Sequence, residues 1–366
     1  MRILILDNYS MGLYRFRKEL IEELVRQKNE VYVCSPYDKY VEKIKGLGCE
    51  YIEAKIERRS VNPIKDLKLM LFYLKIIRII KPDVVLTYTI KPNVYGGIAC
   101  RITKTPYLSN VTGLGTSIEN RGLIQKIALF LYKIGLKKSR CVFFQNKSNM
   151  NKFMDKKIVK GNKRVLPGSE VNLVEHQFED YPESEENIRF LFIGRIMKEK
   201  GIDELLEAAR RIKERYSNVH FELIGFCEEG YAVKLQELMN LGIIEYYGLQ
   251  DDVHTFIKNS HAVILPSYHE GMSNALLESA TTGRPVIASK ITGCMETFDD
   301  GISGLGFEVK NVDSLEQALI KFIQLPLEKK RAMGVAGRGK MEREFNRQIV
   351  VSAYIEEIEN IKKRIS

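Results

Sequence analysis

Residues 261–289, HAVILPSYHEGMSNALLESATTGRPVIAS, place two short apolar runs, AVILP and PVIAS, on either side of one helical stretch. The first run, ending at Pro266-Ser267, reads as a strand buried on both faces. Ser273 or Asn274 supplies a helix N-cap, and Gly283-Arg284-Pro285 stops the helix before the next strand. Strand, loop, helix and strand in that order make one crossover of a parallel sheet, so this stretch sets the fold class as α/β. The loop carries a chemical signal as well. Gly271 and the unpaired N–H groups of the helix start form an anion site that needs no side chain. Glu270 lies in the loop and Glu278 eight residues later on the helix, so one carboxylate can accept from the hydroxyls of a sugar and the other from those of a ribose. The same spacing also suits an ordinary surface residue at 278.

The rhythm continues outward. Upstream are strand RFLFIG (189–194), helix 202–216, strand HFELIG (220–225), helix 230–241, strand IIEYYG (243–248) and helix 253–260. Downstream are GLGFEV (304–309), helix 314–325 and a helical tail over 347–364 that could return to brace the first lobe. The first half alternates in the same way: RILILD (2–7), helix 16–27, EVYVCSP (30–36), helix 40–48, CEYIEAKI (49–56), a long amphipathic helix over 64–80 and DVVLTYT (83–89). Between the two series, 167–187 is polar, acidic and aperiodic, as a connector would be. The expected organisation is an N-terminal doubly wound domain (1–170), a linker (171–187), a C-terminal doubly wound domain (188–345) and a terminal helix (346–366). Ligand would lie in a cleft faced by both domains, at the carboxyl ends of the strands.

Composition narrows the class. Of 366 residues 45% are hydrophobic and 28% charged, which suits a globular chain and excludes a disordered one. The net charge of +10 is unevenly spread: residues 1–180 carry 33 Lys and Arg against 18 Asp and Glu (+15), and the remainder 24 against 29 (−5). A basic first half suits an anionic surface or substrate. Lys126, Lys133, Lys137, Lys138 and Arg140 alternate with an apolar helix face, as in a segment lying on anionic lipid, or in a core-facing helix with a solvated edge. No interleaving of aromatics with these cations marks a nucleic-acid-binding motif, so no nucleic-acid partner is expected. The apolar runs 69–80 and 123–136 are broken by Lys or Arg and fall short of a membrane span. The first residues lack the apolar length of a signal peptide. Six scattered cysteines read as small buried thiols of a reducing compartment. The expected location is the cytoplasm.

Two cations, Arg195 and Lys200, stand five residues apart in the loop after RFLFIG, where both could meet a diphosphate or could simply be solvated. The five histidines (176, 220, 254, 261, 269) have no metal-ligand spacing; His269, beside Glu270, is the one close to the candidate site.

Taken in order, GRIMKEKG, LPSYHEGMSNALLESATTGRPVIAS and GCMETFDDGISGLGFEV closely resemble the family 4 retaining glycosyltransferases of the GT-B fold. FRKELIEEL, NPIKDL, IKPNVYGGIA, VTGLG and FFQN are similar to bacterial members that build capsule, O-antigen or N-glycan precursors on lipid diphosphates. The resemblance implies two Rossmann-like domains facing across a cleft. It implies a nucleotide-sugar donor, with UDP favoured, a lipid diphosphate-linked acceptor such as undecaprenyl diphosphate saccharide, and no cofactor or metal. By it, Arg195 and Lys200 hold the donor diphosphate, Glu278 the ribose, and Glu270 the transferred sugar, with the amides of Gly271, Met272 and Ser273 and neighbouring Asn274 helping. Glu270, Arg195 and Lys200 are the catalytic candidates. Gly194, Ile224-Gly225 and Tyr247-Gly248 complete the donor pocket, and Gly12, in the first strand-helix loop, lets the backbone approach the donor phosphate. Arg17, Lys91 and Thr112 are acceptor candidates. Thr112 stands where many relatives have His or an acid, which leaves the catalytic base unassigned; the donor phosphate could take the acceptor proton. The implied setting is peripheral, on the inner face of the cytoplasmic membrane against anionic lipid. A nucleotide-sugar epimerase or hydrolase of the same fold is the alternative, and would need a carboxylate acid/base pair that the first half does not display.

Overall fold

The computed structural model describes residues 1–55, 62–111, 123–167, 170–183 and 186–365. They fall into two units: Met1–Gly168 with Gln348–Ser366, and Ser169–Arg347.

In unit 1 the strands are β1 (Arg2–Leu6), β2 (Glu30–Ser35), β3 (Glu50–Glu53), β4 (Val84–Tyr88), β5 (Tyr107–Val111), β6 (Cys141–Phe144) and β7 (Asn162–Val165). They form one sheet in the order β3-β2-β1-β4-β5-β6-β7, parallel at every pairing. Its helices are α1 (Ser10–Arg26), α2 (Val41–Lys45), α3 (Pro63–Ile80), α4 (Gly97–Thr103, entered through a wide turn at Pro92–Gly96), α5 (Leu123–Gly135) and α6 (Lys147–Asp155). Each strand alternates between the sheet's two faces. Ile3, Ile5, Val84, Leu86, Leu108 and Phe143 pack under α1. Leu4, Leu6, Val85 and Tyr107 pack under α3 and α4.

Unit 2 repeats the plan. Its strands are β8 (Ile188–Ile193), β9 (Val219–Ile224), β10 (Glu245–Tyr246), β11 (Ala262–Leu265), β12 (Val286–Ser289) and β13 (Gly304–Phe307). They run parallel in the order β10-β9-β8-β11-β12-β13. The helices are α7 (Ile202–Arg215), α8 (Ala232–Asn240), α9 (Val253–Asn259), α10 (Asn274–Thr281), α11 (Thr292–Met295), α12 (Val312–Ile323) and α13 (Leu327–Lys340). The final helix, α14 (Arg347–Ile365), seats Val350, Val351, Tyr354, Ile358 and Ile361 in the core of unit 1 beside α1. The hydroxyl of Tyr354 accepts from Asn110 Nδ2 at 2.8 Å, fastening α14 to β5.

Several elements differ from the sequence expectation. Helix α1 begins at Ser10, not residue 16, because Asp7 closes the preceding turn: its buried carboxylate accepts from the amides of Asn8 (2.6 Å) and Tyr9 (3.1 Å). Strands β5 to β7 and helix α13 were not distinguished in the sequence. The described part of the stretch read as a connector, 171–183, is bound into unit 2. The fully buried guanidinium of Arg284 donates to the carbonyls of Glu179 (3.0 Å) and Asp180 (2.7 Å) and to that of Lys258 (2.7 Å). Burial pulls its pKa down to about 10. A buried guanidinium has to find acceptors, and this segment supplies two of them. Glu179 accepts from His254 (3.1 Å) and is paired with Lys258 (3.0 Å), bonds that hold its carboxyl down at about 2.

Candidate functional site

In a doubly wound sheet the ligand edge lies where the chain leaves one strand in opposite directions, outside the carboxyl ends. In unit 2 that point falls between β8 and β11. The loop after β8 carries Arg195 and Lys200, and the loop after β11 carries Glu270.

The two loops are brought together by glycines. Gly201 sits at φ +68°, and a Cβ there would lie 2.0 Å from the carbonyl oxygen of Pro266. No side chain fits, so the end of the β8 loop presses directly on the exit of β11. The amide of Tyr268 donates to the carbonyl of Glu199 at 2.9 Å across this contact. Lys200, one residue before Gly201, is thereby aimed at Glu270: its Nζ donates to Glu270 Oε1, which also accepts from Ser267 Oγ at 2.7 Å. On the other side, a Cβ at Gly293 would stand 2.3 Å from the carbonyl oxygen of Glu270, so α11 supports the 270–271 turn from below. Lys200 and Glu270 are mostly covered, their side chains 22% and 12% exposed. Arg195 is exposed and has no ion-pair partner among the described residues.

Ser273, not Asn274, caps α10, its hydroxyl accepting from the Leu276 amide at 3.4 Å. Asn274 is the first helical residue and is exposed. Gly271 is open to solvent, and Met272 packs with Leu277, Met341 and Phe345, leaving its amide as the group able to meet a ligand. Glu278 is half-buried one turn into α10. The site therefore joins one unpaired guanidinium, a Lys–Glu pair and a helix start, but the Ser273 amide, expected to meet the ligand, donates instead to the carbonyl of Gly293 at 3.4 Å.

The strand ends beside it are stitched together. The Gly194 amide donates to Ile224 (3.1 Å), and the Gly225 amide to Gly248 (2.8 Å). Gly225 has φ +136°, and a Cβ there would stand 1.8 Å from the oxygen of Gly194. One expectation is corrected here. Ile224 is 2% exposed, so its side chain belongs to the core with Leu191, Ile257 and Val263, and only its backbone reaches the loop. Tyr247 presents its ring but spends its hydroxyl on Glu245 at 2.5 Å, which pushes the phenol up to about 12. Next to Gly225 the structure exposes an aromatic that the sequence reading passed over, Phe226, 59% exposed. An aromatic directly after a strand-ending glycine was the available signal. Gly201, Ser267 and Gly293 were also missed, because their roles depend on contacts distant in sequence.

The candidates in unit 1 fare differently. Gly12 is the third residue of α1, not part of a loop, and a Cβ there would meet the Tyr9 ring at 2.7 Å; its smallness makes room for Tyr9. Arg17 is buried over the ring of Tyr88, 5.6 Å from its centre. Lys91 is buried too, and its ammonium is held by Asp66 at 2.8 Å. Neither presents an open cation. Thr112 lies outside the described residues. Three of the five cations assigned to α5 (Lys137, Lys138 and Arg140) follow its end at Gly135, whose own closeness to Asn93 leaves no space for a Cβ (2.5 Å).

Comparison with known proteins bears on the family and the fold. Residues 174–340 match the family described as glycosyl transferases group 1, and residues 2–146 the family described as glycosyl transferase 4-like. The chain is similar along its whole length to the N,N'-diacetylbacillosaminyl-diphospho-undecaprenol alpha-1,3-N-acetylgalactosaminyltransferase of Campylobacter jejuni, at 28% identity with 100% of both chains covered. It is also similar to the UDP-Gal:alpha-D-GlcNAc-diphosphoundecaprenol alpha-1,3-galactosyltransferase of Escherichia coli, at 23% identity over 72% of each chain. Among solved structures, a glycosyltransferase from Rickettsia africae superposes with a TM-score of 0.83 at 21% identity, covering 99% of this chain and 98% of that one. The Anabaena protein Alr3699/HepE in complex with UDP superposes with a TM-score of 0.76 at 16% identity, covering 98% and 100%.

Proposed function

The chain is a glycosyltransferase of the GT-B fold and of family 4, and on that premise we propose that it moves a hexose or N-acetylhexosamine from a UDP-sugar to a saccharide carried on undecaprenyl diphosphate, in surface polysaccharide or glycan biosynthesis. The observation that carries the reading is the convergence of Arg195, the Lys200–Glu270 pair and the Gly271–Ser273 helix start on the switch point of unit 2.

Transfer breaks the bond between the anomeric carbon and the diphosphate oxygen, and the leaving group gains negative charge as it departs. Arg195, the ammonium of Lys200 and the amides of Gly271 and Met272 ahead of α10 are donors for that charge, so they favour the transition state over the bound donor. Lys200 has three N–H donors and can keep Glu270 while meeting a phosphate oxygen. Glu270 then accepts from hydroxyls of the transferred sugar, Glu278 accepts from the ribose, and the exposed faces of Phe226 and Tyr247 flank the base. Configuration at the anomeric carbon is retained, and the acceptor proton passes to the donor phosphate. No metal is required, since the cations neutralise the diphosphate. The Campylobacter and Escherichia relatives are both named for diphospho-undecaprenol-linked saccharides, and that shared chemistry supports the acceptor. No helix among the described residues is long and apolar enough to cross a membrane, so we place the enzyme peripherally on the inner face of the cytoplasmic membrane, against its anionic lipid.

A thermal-shift screen of nucleotide-sugars, followed by transfer to lipid diphosphate-linked saccharide with and without EDTA, tests this reading. Stabilisation by a UDP-sugar and EDTA-resistant transfer are expected. Rapid acceptor-free hydrolysis or epimerisation of the donor would instead favour the alternative chemistry on the same fold.

A further inference from the structure

Ser267 precedes Glu270 in a Ser-x-x-Glu spacing, which at a helix start lets the serine cap the helix while the glutamate reaches back. No helix begins there. Residues 266–273 are irregular, and α10 opens later, at Asn274, under its own cap Ser273. The two side chains meet each other instead. Ser267 is 0% exposed, and its hydroxyl donates to Oε1 of Glu270 at 2.7 Å. The ammonium of Lys200, 70 residues away in the chain, donates to the same oxygen. Oε2 takes no hydrogen bond among the described residues, so it is the oxygen left for a ligand.

The main chain beneath these groups is held still. Besides the contacts of Gly201 and Gly293, the loop is pinned through Tyr268. Its hydroxyl donates to the two oxygens of Glu204, at 2.8 and 3.0 Å, in the first turn of α7, and the Lys310 ammonium covers its ring at 4.7 Å from the centre. Beside the Lys200–Glu270 pair lies the buried Cys294, its thiol pushed up to about 12 by burial and then by Glu270, so it stays neutral and adds no charge. Rotation of its own side chain is the freedom left to Glu270.

Two donors restrain that rotation, and they differ in stiffness. Lys200 carries its ammonium on a long flexible stem, is partly exposed and has further N–H donors for a phosphate oxygen. Ser267 has a short side chain and a single donor, already given to Glu270 inside the protein. Lys200 can be drawn toward a phosphate while the serine keeps its hold. A carboxylate that must meet hydroxyls in one geometry depends on such a second group to fix its rotamer.

We propose that Ser267 is a positioning residue for sugar transfer: its buried hydroxyl locks Oε1 of Glu270 and so presents Oε2 to the hydroxyls of the donor's sugar, without holding the diphosphate. The inference rests on the donor-site reading above.

Steady-state transfer from UDP-galactose and from UDP-N-acetylgalactosamine, with UDP binding measured by calorimetry, tests it. S267A should lower kcat/KM by about 10–100-fold, the span expected for one hydrogen bond to a charged group, and should bind UDP within about twofold of the wild type. In an E270A background the same substitution should change kcat/KM by less than about twofold, because the partner through which Ser267 acts is gone. An equal loss in both backgrounds, or weakened UDP binding, would overturn the proposal, since the serine would then act on the fold or on the diphosphate. So would wild-type transfer by S267A beside an impaired E270A. Wild-type transfer by E270A itself would remove the donor-site reading, and this inference with it.

Discussion

The two units share a plan and differ in what occupies the first loop of the sheet. In unit 1 the turn after β1 is closed on itself, with the buried Asp7 carboxylate taking the amides of Asn8 and Tyr9. In unit 2 the equivalent turn after β8 carries Arg195 open to solvent and ends at Gly201, which lets Lys200 reach the opposite loop. The charges of the units run the other way. Unit 1 holds 36 Lys and Arg against 17 Asp and Glu (+19), whereas unit 2 holds 21 against 30 (−9). The candidate donor site is thus a cationic spot on an acidic body, and the basic unit has its candidate cations Arg17 and Lys91 buried or paired. Net charge describes a whole unit, and local geometry describes which charges its candidate site presents.

Removing the cationic spot tests that contrast most severely. Lys200→Ala and Glu270→Ala should each lower kcat/KM by about 10²–10³-fold, and Arg195→Ala by a similar factor, with unchanged circular dichroism; wild-type transfer in any of them would dissolve the distinction between the two loops. Next in size is the joint that makes 171–183 part of unit 2. Arg284→Met leaves five carbonyl contacts unmade and should cost about 3 kcal/mol or more in urea unfolding, while the matching change at half-exposed Arg331, paired with Glu328, should cost under about 1 kcal/mol.

The same joint has a pH signature. The carboxyl of Glu179 is lowered to about 2 by His254 and Lys258, so its contribution is present above the usual glutamate range near 4.5 and is lost as pH falls toward 2. Glu179→Gln should therefore destabilise the protein by about 1–2 kcal/mol at pH 7, with the gap to wild type closing below about pH 3. Parallel stability curves for the two proteins across that range would refute the assignment. The smallest effect belongs to the return of α14 to unit 1. Tyr354→Phe takes from Asn110 its acceptor and should cost about 1 kcal/mol, measured best as faster amide exchange in β5.

Much of this was legible in the sequence because its causes are local. Apolar runs of strand length alternating with helical spacing announced both parallel sheets, and the Pro266–Ser289 stretch displayed its strand exit, a cap at Ser273 or Asn274 and its helix stop within two dozen residues. Four residues of the candidate site, Arg195, Lys200, Glu270 and Gly271, were named from the same local reading. Distance along the chain set the limit. Nothing near Gly201 in sequence announces the oxygen of Pro266, nothing near Gly293 announces the carbonyl of Glu270, and nothing near Arg284 announces residues 179–180. Likewise Lys91 and Arg17 read as available cations until the fold supplied Asp66 to one and the ring of Tyr88 to the other. Pattern and capping chemistry act through neighbours within one turn, and these the sequence determined alone. Which glycine must be bare, which cation stays unpaired and which apolar side chain is left facing outward depend on atoms that only the packed structure brings within a few ångströms.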